Sequence, residues 1–235
     1  MSVTINGLVV VRGAGDLATG VILRLHRAGS SDDALRLIRA GVIPVLVDPD
    51  CRSLGAFQPG VLVDAIMAKR NQGTSASMAP VVIVLGPGFT APGDAHAIVE
   101  TNRGHSLGRV IRSGAAEPNT GVPGIIGGHG AERVVHARAA GTARGMADIG
   151  DMVSAGATIL ALRNPDTGAE TVEVAPLDGM LRGLIRPGIA VPAGLKIADV
   201  DPRGKREYCF TVSDKALAVA GGVLEAILSL GGRPA

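Results

Sequence analysis

Short β-branched runs alternate with glycine turns along the first half of the chain. Residues Leu8 to Val11 are apolar and read as a buried strand. Gly13-Ala14-Gly15-Asp16-Leu17-Ala18 follows, and Leu17, Val21 and Leu25 then recur at helical spacing until Gly29, so the order is strand, glycine turn, helix. A second helix is expected from Ser31, a good N-cap, with Asp32 and Asp33 in its first turn, Leu35 and Ile38 on one face and Gly41 as its stop. Val42 to Val47 reads as another strand, closed by Asp48-Pro49-Asp50. Val61 to Val63 is a weaker strand and Val81 to Leu85 a strong one, ending in Gly86-Pro87-Gly88-Phe89. Asp94 to Arg103 reads as helical and Arg109 to Ile111 as a strand. Strands alternating with helices imply a mostly parallel sheet covered on both faces. The loop from Gly114 to Gly130 closes this domain, residues 1–130.

The second half repeats itself at a fixed offset. Ala137, Gly141, Arg144, Gly145, Gly150, Val153, Ala155, Gly156 and Ile159 recur in register as Ala175, Gly179, Arg182, Gly183, Gly188, Val191, Ala193, Gly194 and Ile197. One copy is too small to bury a core, so the two must pack together. The pattern looks like the two halves of a biotinyl/lipoyl-type barrel-sandwich hybrid, residues 131–204. Carrier domains of that shape present a lysine on the hairpin between the halves. Here that stretch is Arg163-Asn164-Pro165-Asp166-Thr167-Gly168, without lysine, so neither biotin nor lipoate is expected. Residues 205–235 read as a C-terminal strand, around Thr211-Val212, and a helix. Ala216, Val219, Val223, Ile227 and Leu230 lie on its broad apolar face, and Gly221-Gly222 allows close packing. The fold class is therefore α/β: a Rossmann-like, mostly parallel sheet, then a small all-β domain with an internal repeat.

Composition narrows the function. Of the 235 residues 46% are hydrophobic but only 2% aromatic, with no Trp, so aliphatic side chains build the cores and base stacking on single-stranded nucleic acid is not expected. A net charge of +2 gives no electrostatic footprint for nucleic acid either. Cys51 and Cys209 are too few for a disulfide scaffold or a zinc cluster. Neither a leader peptide nor an apolar run of membrane-spanning length is apparent, and a cytoplasmic location is the expectation.

Several motifs are candidates for chemistry. Gly13-x-Gly15-x-x-Ala18 fits the dinucleotide fingerprint, whose glycines let phosphate approach the backbone at a helix N-terminus. The acidic residue about 20 positions further on, at the end of a second strand, is missing, and Asp16 would repel phosphate. A glycine turn kept for strand–helix packing explains the motif equally. Gly86 and Gly88 end a strand at the edge where open α/β sheets bind ligands; an ordinary turn is the alternative. His96, Glu100 and Arg103 stand at helical offsets and, with His105, suit an anion or acid–base work. Their spacing matches no zinc pattern, and a solvated helix face with an ion pair is the plain alternative. Asp64 and Lys69 suggest a local salt bridge or a cap. Cys209 has Lys205, Arg206 and Lys215 close in sequence, which would favour a thiolate, whereas a lone thiol in such a setting is usually buried and inert. Asp48 and Asp50 would raise the pKa of Cys51.

Taken together, Arg12–Gly20, Val42–Pro49, Val63–Asn71, Leu85–Thr90, Glu100–His105, Glu117–Gly121, Asp199–Arg203 and Ser213–Ala216 resemble, in their order, the YqeB-type accessory proteins of the selenium-dependent molybdenum hydroxylase system. That resemblance implies a maturation factor for a xanthine-dehydrogenase-like enzyme, handling the molybdenum cofactor or its terminal sulfur or selenium. It also implies the hydroxylase apoenzyme and a small anionic ligand as partners, with a homo-oligomer compatible. The family pattern carries a further strand and a few tens of residues between positions like Gly29 and Ser30. Here that strand is deleted, the same gap that the fingerprint shows. A nucleotide-binding non-catalytic scaffold and a small NAD(P)-dependent oxidoreductase are the alternatives.

Overall fold

The computed structural model describes residues 8–13, 26–27, 31–40, 44–48 and 50–231. The chain divides into two compact units, Met1–Thr120 with Val212–Ala235, and Gly121–Thr211. The architecture is α/β with mixed sheets and few helices.

The first unit is organised by a five-stranded sheet. Its strands are β1 (Val9–Arg12), β4 (Val61–Asp64), β5 (Val81–Leu85), β6 (Ala97–Val99) and β7 (Val110–Ile111), side by side in that order. The first four run parallel and β7 runs antiparallel to β6. A separate two-stranded parallel pair joins β2 (His26–Arg27) to β3 (Pro44–Val45). Helix α1 (Ser31–Arg39) carries Asp32 and Asp33 in its first turn, as its sequence implied, and Arg36 pairs with Asp33 at 2.5 Å. A short helix α2 (Ser53–Phe57) is capped by Asp48, whose carboxylate accepts from the Arg52 and Ser53 amides at 2.9 and 2.8 Å. The expected helix through Leu17, Val21 and Leu25 lies outside the described residues, as do Val42 and Ile43; Leu46 and Val47 are not in a strand.

Every residue of β4, β5 and β6 is buried. Their aliphatic side chains alternate between two layers because successive residues of a strand point to opposite faces. Val61, Val63, Val81, Ile83, Leu85, Ala97 and Val99 face helix α3 (Asp214–Ser229). Leu62, Val82, Val84 and Ile98 face Phe89, Ala91, Ala95 and Ala116, so on that side connecting segments rather than a described helix close the core. Helix α3 begins at Ser213, whose Oγ accepts from the Ala216 amide at 3.2 Å. It buries Ala216, Val219, Gly222, Val223, Ala226 and Ile227, a stripe of helical period.

Two expectations are corrected. The stretch from Asp94 to Arg103 is not a helix: its centre, Ala97-Ile98-Val99, is wholly buried and pairs with both β5 and β7. The sheet's demand for one more apolar strand overrides the helical offsets of the polar residues around it. Thr211-Val212 is not a strand either; Arg206–Cys209 forms a 3-10 turn and the chain then runs into α3.

The second unit holds eight strands: β8 (Val134–His136), β9 (Gly141–Gly145), β10 (Met152–Val153), β11 (Thr158–Arg163), β12 (Glu170–Val174), β13 (Gly179–Leu184), β14 (Ala190–Val191) and β15 (Lys196–Asp201). The second four follow the first four at the offset of the sequence repeat. They form two four-stranded antiparallel sheets, β10-β13-β15-β8 and β12-β11-β9-β14. Each sheet therefore takes two strands from each copy, and neither copy is a domain alone. The core is paired in the same way: Ala137 with Ala175, Ala143 with Leu181, Val153 with Val191, Ile159 with Ile197, Leu160 with Ala198, and Leu162 with Val200. The symmetry breaks at Val135, whose mate is Glu173, a buried carboxylate held by the Arg138 amide at 2.8 Å and Nε at 3.0 Å.

The two glycines of α3 are predicted to behave oppositely. A Cβ on Gly222 would collide with the Gly108 carbonyl oxygen and stand 2.8 Å from Val99, whereas one on Gly221 would meet nothing. Gly222→Ala should cost about 1–3 kcal/mol through overpacking. Gly221→Ala should add about 0.5–1 kcal/mol by restricting the unfolded chain. Urea denaturation of the two variants beside the parent checks both signs.

Candidate functional site

The parallel strands β1, β4, β5 and β6 deliver their following loops to one edge of the sheet, where ligands bind in open α/β folds. Arg12 ends β1 and Asp64 ends β4, and the register places them side by side. Arg12 Nη1 lies 3.7 Å from Asp64 Oδ2 and donates to Thr74 Oγ1 at 2.7 Å, while Thr74 Oγ1 donates to Asp64 Oδ2 at 2.5 Å. Arg12 Nη2 donates to the Gln72 carbonyl at 3.0 Å. Asp64 and Thr74 are both 2% exposed, so this polar network is satisfied within the protein. Asp64 Oδ1 also accepts from the Ile66 amide at 3.0 Å, a local turn and not a helix cap; its side-chain partners among the described residues are Arg12 and Thr74 rather than Lys69. Asn71 closes the next turn: its Oδ1 accepts from the Gly73 and Thr74 amides, both at 2.8 Å. Arg12, Thr74 and Asn71 were not singled out from the sequence, although Asn71-Gln72-Gly73 is a recognisable turn signal.

The glycines of this edge touch the loop after β4. A Cβ on Gly13 would stand 2.9 Å from the backbone of Ala65 and Ile66. One on Gly88 would stand 2.6 Å from the Arg70 backbone, and one on Gly86 would stand 2.5 Å from Thr101 Oγ1 and 3.4 Å from Met67. Because β4 lies between β1 and β5, the Gly13 and Gly86 turns do not meet each other; residues 65–70 run between them. Gly15 and Asp16 lie outside the described residues.

The polar set His96, Glu100, Arg103 and His105 does not assemble. His96 stands just before β6, where its Nδ1 accepts from the Val82 amide at 3.0 Å. Glu100 follows the opposite end of that strand. It is 2% exposed, and its carboxylate accepts from the amides of Thr101, Asn102 and Glu117 at 2.7, 2.7 and 2.8 Å. Arg103 is ion-paired with Asp214, at the start of α3, at 2.8 Å, and His105 is exposed on the turn between β6 and β7. The shared helix face expected for these residues is absent because the segment is a strand. Among the described residues no three His, Cys, Asp or Glu side chains gather as a metal ion would require.

Both cysteines are half-buried and free. Burial pushes the Cys209 thiol up; Arg182 and Arg206 oppose this and Asp201 adds to it. Its Sγ lies 3.8 Å from the Leu181 carbonyl. Of the cations close to it in sequence only Arg206 acts on it, and the other, Arg182, comes from β13. Burial also pushes up Cys51, against Arg12 and with Asp48, Asp64 and Asp50 adding to the rise. Burial alone would likewise raise the neighbouring Asp201 carboxyl. Arg203, bonded to it at 2.6 and 2.9 Å, and Arg182, 3.6 Å away, instead hold it below the ordinary carboxylate value.

No family model matches the sequence. The chain is similar to the Uncharacterized protein YqeB of Escherichia coli (strain K12), with 46% identity over 263 residues, 95% of this chain and 48% of that protein. It spans about half the length of the curated relative it matches. The 263 aligned positions exceed the 235 residues present here, so the relative has segments within the aligned region with no counterpart in this chain. Two solved structures show slight likeness. One, from Shewanella amazonensis SB2B, is described as of the succinylglutamate desuccinylase / aspartoacylase family; it is 27% identical over 29% of this chain and 20% of its own, with a TM-score of 0.27. The other, an aspartoacylase family protein from Mesorhizobium loti, is 14% identical over 82% and 83%, with a TM-score of 0.31. Among the described residues no helix is long and apolar enough to cross a membrane.

Two outcomes follow from the titrating groups. Asp201 has a lower pKa folded than unfolded, so it adds stability above about pH 4 that is lost as pH falls through its folded value. Stability measured in urea from about pH 6 down to about pH 3 should therefore fall less steeply for Asp201→Asn than for the parent. With both thiols shifted upward, Cys51 and Cys209 should react slowly with a disulfide reagent at neutral pH and rapidly once the chain is unfolded. Fast labelling of either in the folded protein would contradict this.

Proposed function

We propose that this protein is an accessory factor in the maturation of a molybdenum hydroxylase of the xanthine-dehydrogenase type. In this reading it holds the molybdenum cofactor, or a nucleotide form of it, as cargo at the carboxyl edge of the parallel sheet. The resemblance to YqeB-type proteins of the selenium-dependent system motivates the role. The observation that supports a ligand at that edge is the convergence of Arg12, Gly13, Asp64, Gly86 and Gly88 on the loop after β4. We read the first unit as a Rossmann-like sheet shortened by one strand, which explains the missing ribose-binding carboxylate. We read the second as a barrel-sandwich hybrid, since two interleaved copies with paired cores are the arrangement that fold requires.

A second reading, a nucleotide-binding scaffold without chemistry of its own, is favoured by the state of the candidate catalytic groups. Glu100 is spent on backbone amides and the Cys209 thiol is pushed towards its protonated form.

The test is reconstitution of a hydroxylase apoenzyme with molybdenum cofactor, with and without this protein. Higher molybdenum content and activity in its presence are expected. Equal loading with and without it would end the maturation reading, and full effect from a Cys209→Ala variant would favour the scaffold.

A further inference from the structure

We propose that residues 67–70, in the loop after β4, form a cradle for a phosphate group, with Lys69 and Arg70 as its cations. Backbone geometry is the first support. Met67 and Lys69 have φ of +60° and +62°, while Ile66, Ala68 and Arg70 do not share that sign. Alternating backbone hand along a loop is the pattern found in anion-binding nests. Left-handed backbone costs a non-glycine residue roughly 1–2 kcal/mol, so the surroundings must impose it here.

Hydrogen bonding is the second support. Among the described residues, the amides of Met67, Ala68, Lys69 and Arg70 donate no hydrogen bond. The amides flanking them do: Ile66 donates to Asp64, and Gly73 and Thr74 donate to Asn71. Charge is the third. Lys69 and Arg70 are exposed and, among the described residues, have no carboxylate within ion-pair distance, whereas Arg12 and Arg103 at the same sheet are paired. Rigidity is the fourth. Gly13 presses on Ala65 and Ile66 from one side and Gly88 on Lys69 and Arg70 from the other, so the cradle is held by backbone contact. A point charge, a forked guanidinium and neighbouring undonated amides together suit a dianion with several oxygens, which is a phosphate or diphosphate ester rather than a lone carboxylate.

The inference rests on the anionic-ligand reading above but not on the ligand being the molybdenum cofactor. Its test is a titration of the ¹⁵N-labelled chain with inorganic pyrophosphate. Saturable shifts centred on the amides of residues 67–70 are expected, and Lys69→Ala with Arg70→Ala should raise Kd by about tenfold or more. Both side chains are exposed, and unchanged resonances elsewhere report an intact fold. Lys69→Gly, which keeps the left-handed backbone and removes one charge, should weaken binding less than the double variant. Absence of saturable shifts, or an unchanged Kd in the double variant, overturns the cradle. If molybdenum cofactor binds without moving these amides, the cradle fails and the maturation reading stands. If pyrophosphate binds here and reconstitution shows no effect, the reverse holds.

Discussion

The contact between the loop after β4 and the glycine turns beside it governs the carboxyl edge of the first unit's sheet. β4 lies between β1 and β5 and is buried on both faces, so its outgoing loop must leave through the space between its neighbours' turns. At Gly13 and Gly88 a Cβ would come within 2.9 Å of that loop's backbone, closer than side-chain carbon packs. The glycines are therefore explained by backbone clearance before any ligand is invoked. Between those two contacts, Met67 and Lys69 hold left-handed backbone.

Beneath the loop, buried charge is spent on holding the strand ends. Arg12, Asp64 and Thr74 satisfy one another, and Glu100 takes three backbone amides that no helix or ladder would otherwise serve. Removing one partner from such a network costs about 3–5 kcal/mol, because the remaining charge stays buried. These carboxylates are structural anchors of the edge. The same logic applies to Cys209, where burial outweighs the arginines that would favour a thiolate.

The second unit is constrained differently. Its two copies exchange strands, so each hydrophobic position is matched by its counterpart in the other copy and a change in one is felt across both sheets. Glu173, standing where the symmetry would place a second valine, is retained only because Arg138 supplies both an amide and a guanidinium.

Much of this was legible in the sequence by itself. The apolar runs at Leu8–Val11, Val61–Val63 and Val81–Leu85 mark strands because a sheet buried on both faces needs continuous aliphatic residues. The internal repeat that carries Ala137 onto Ala175 marks the second unit, and the period of Ala216, Val219, Val223 and Ile227 marks the helix that covers the sheet. These are local or periodic signals, carried by the chain without reference to its partners. What only the tertiary structure decided is which neighbour each segment meets. The helical offsets of His96, Glu100 and Arg103 yielded to a strand because β5 and β7 flank Ala97–Val99. Arg12 found Asp64 because β1 and β4 are adjacent in the sheet though distant in the chain. Gly13 and Gly88 came to press on the loop that carries Lys69 and Arg70, a contact that sequence spacing does not encode.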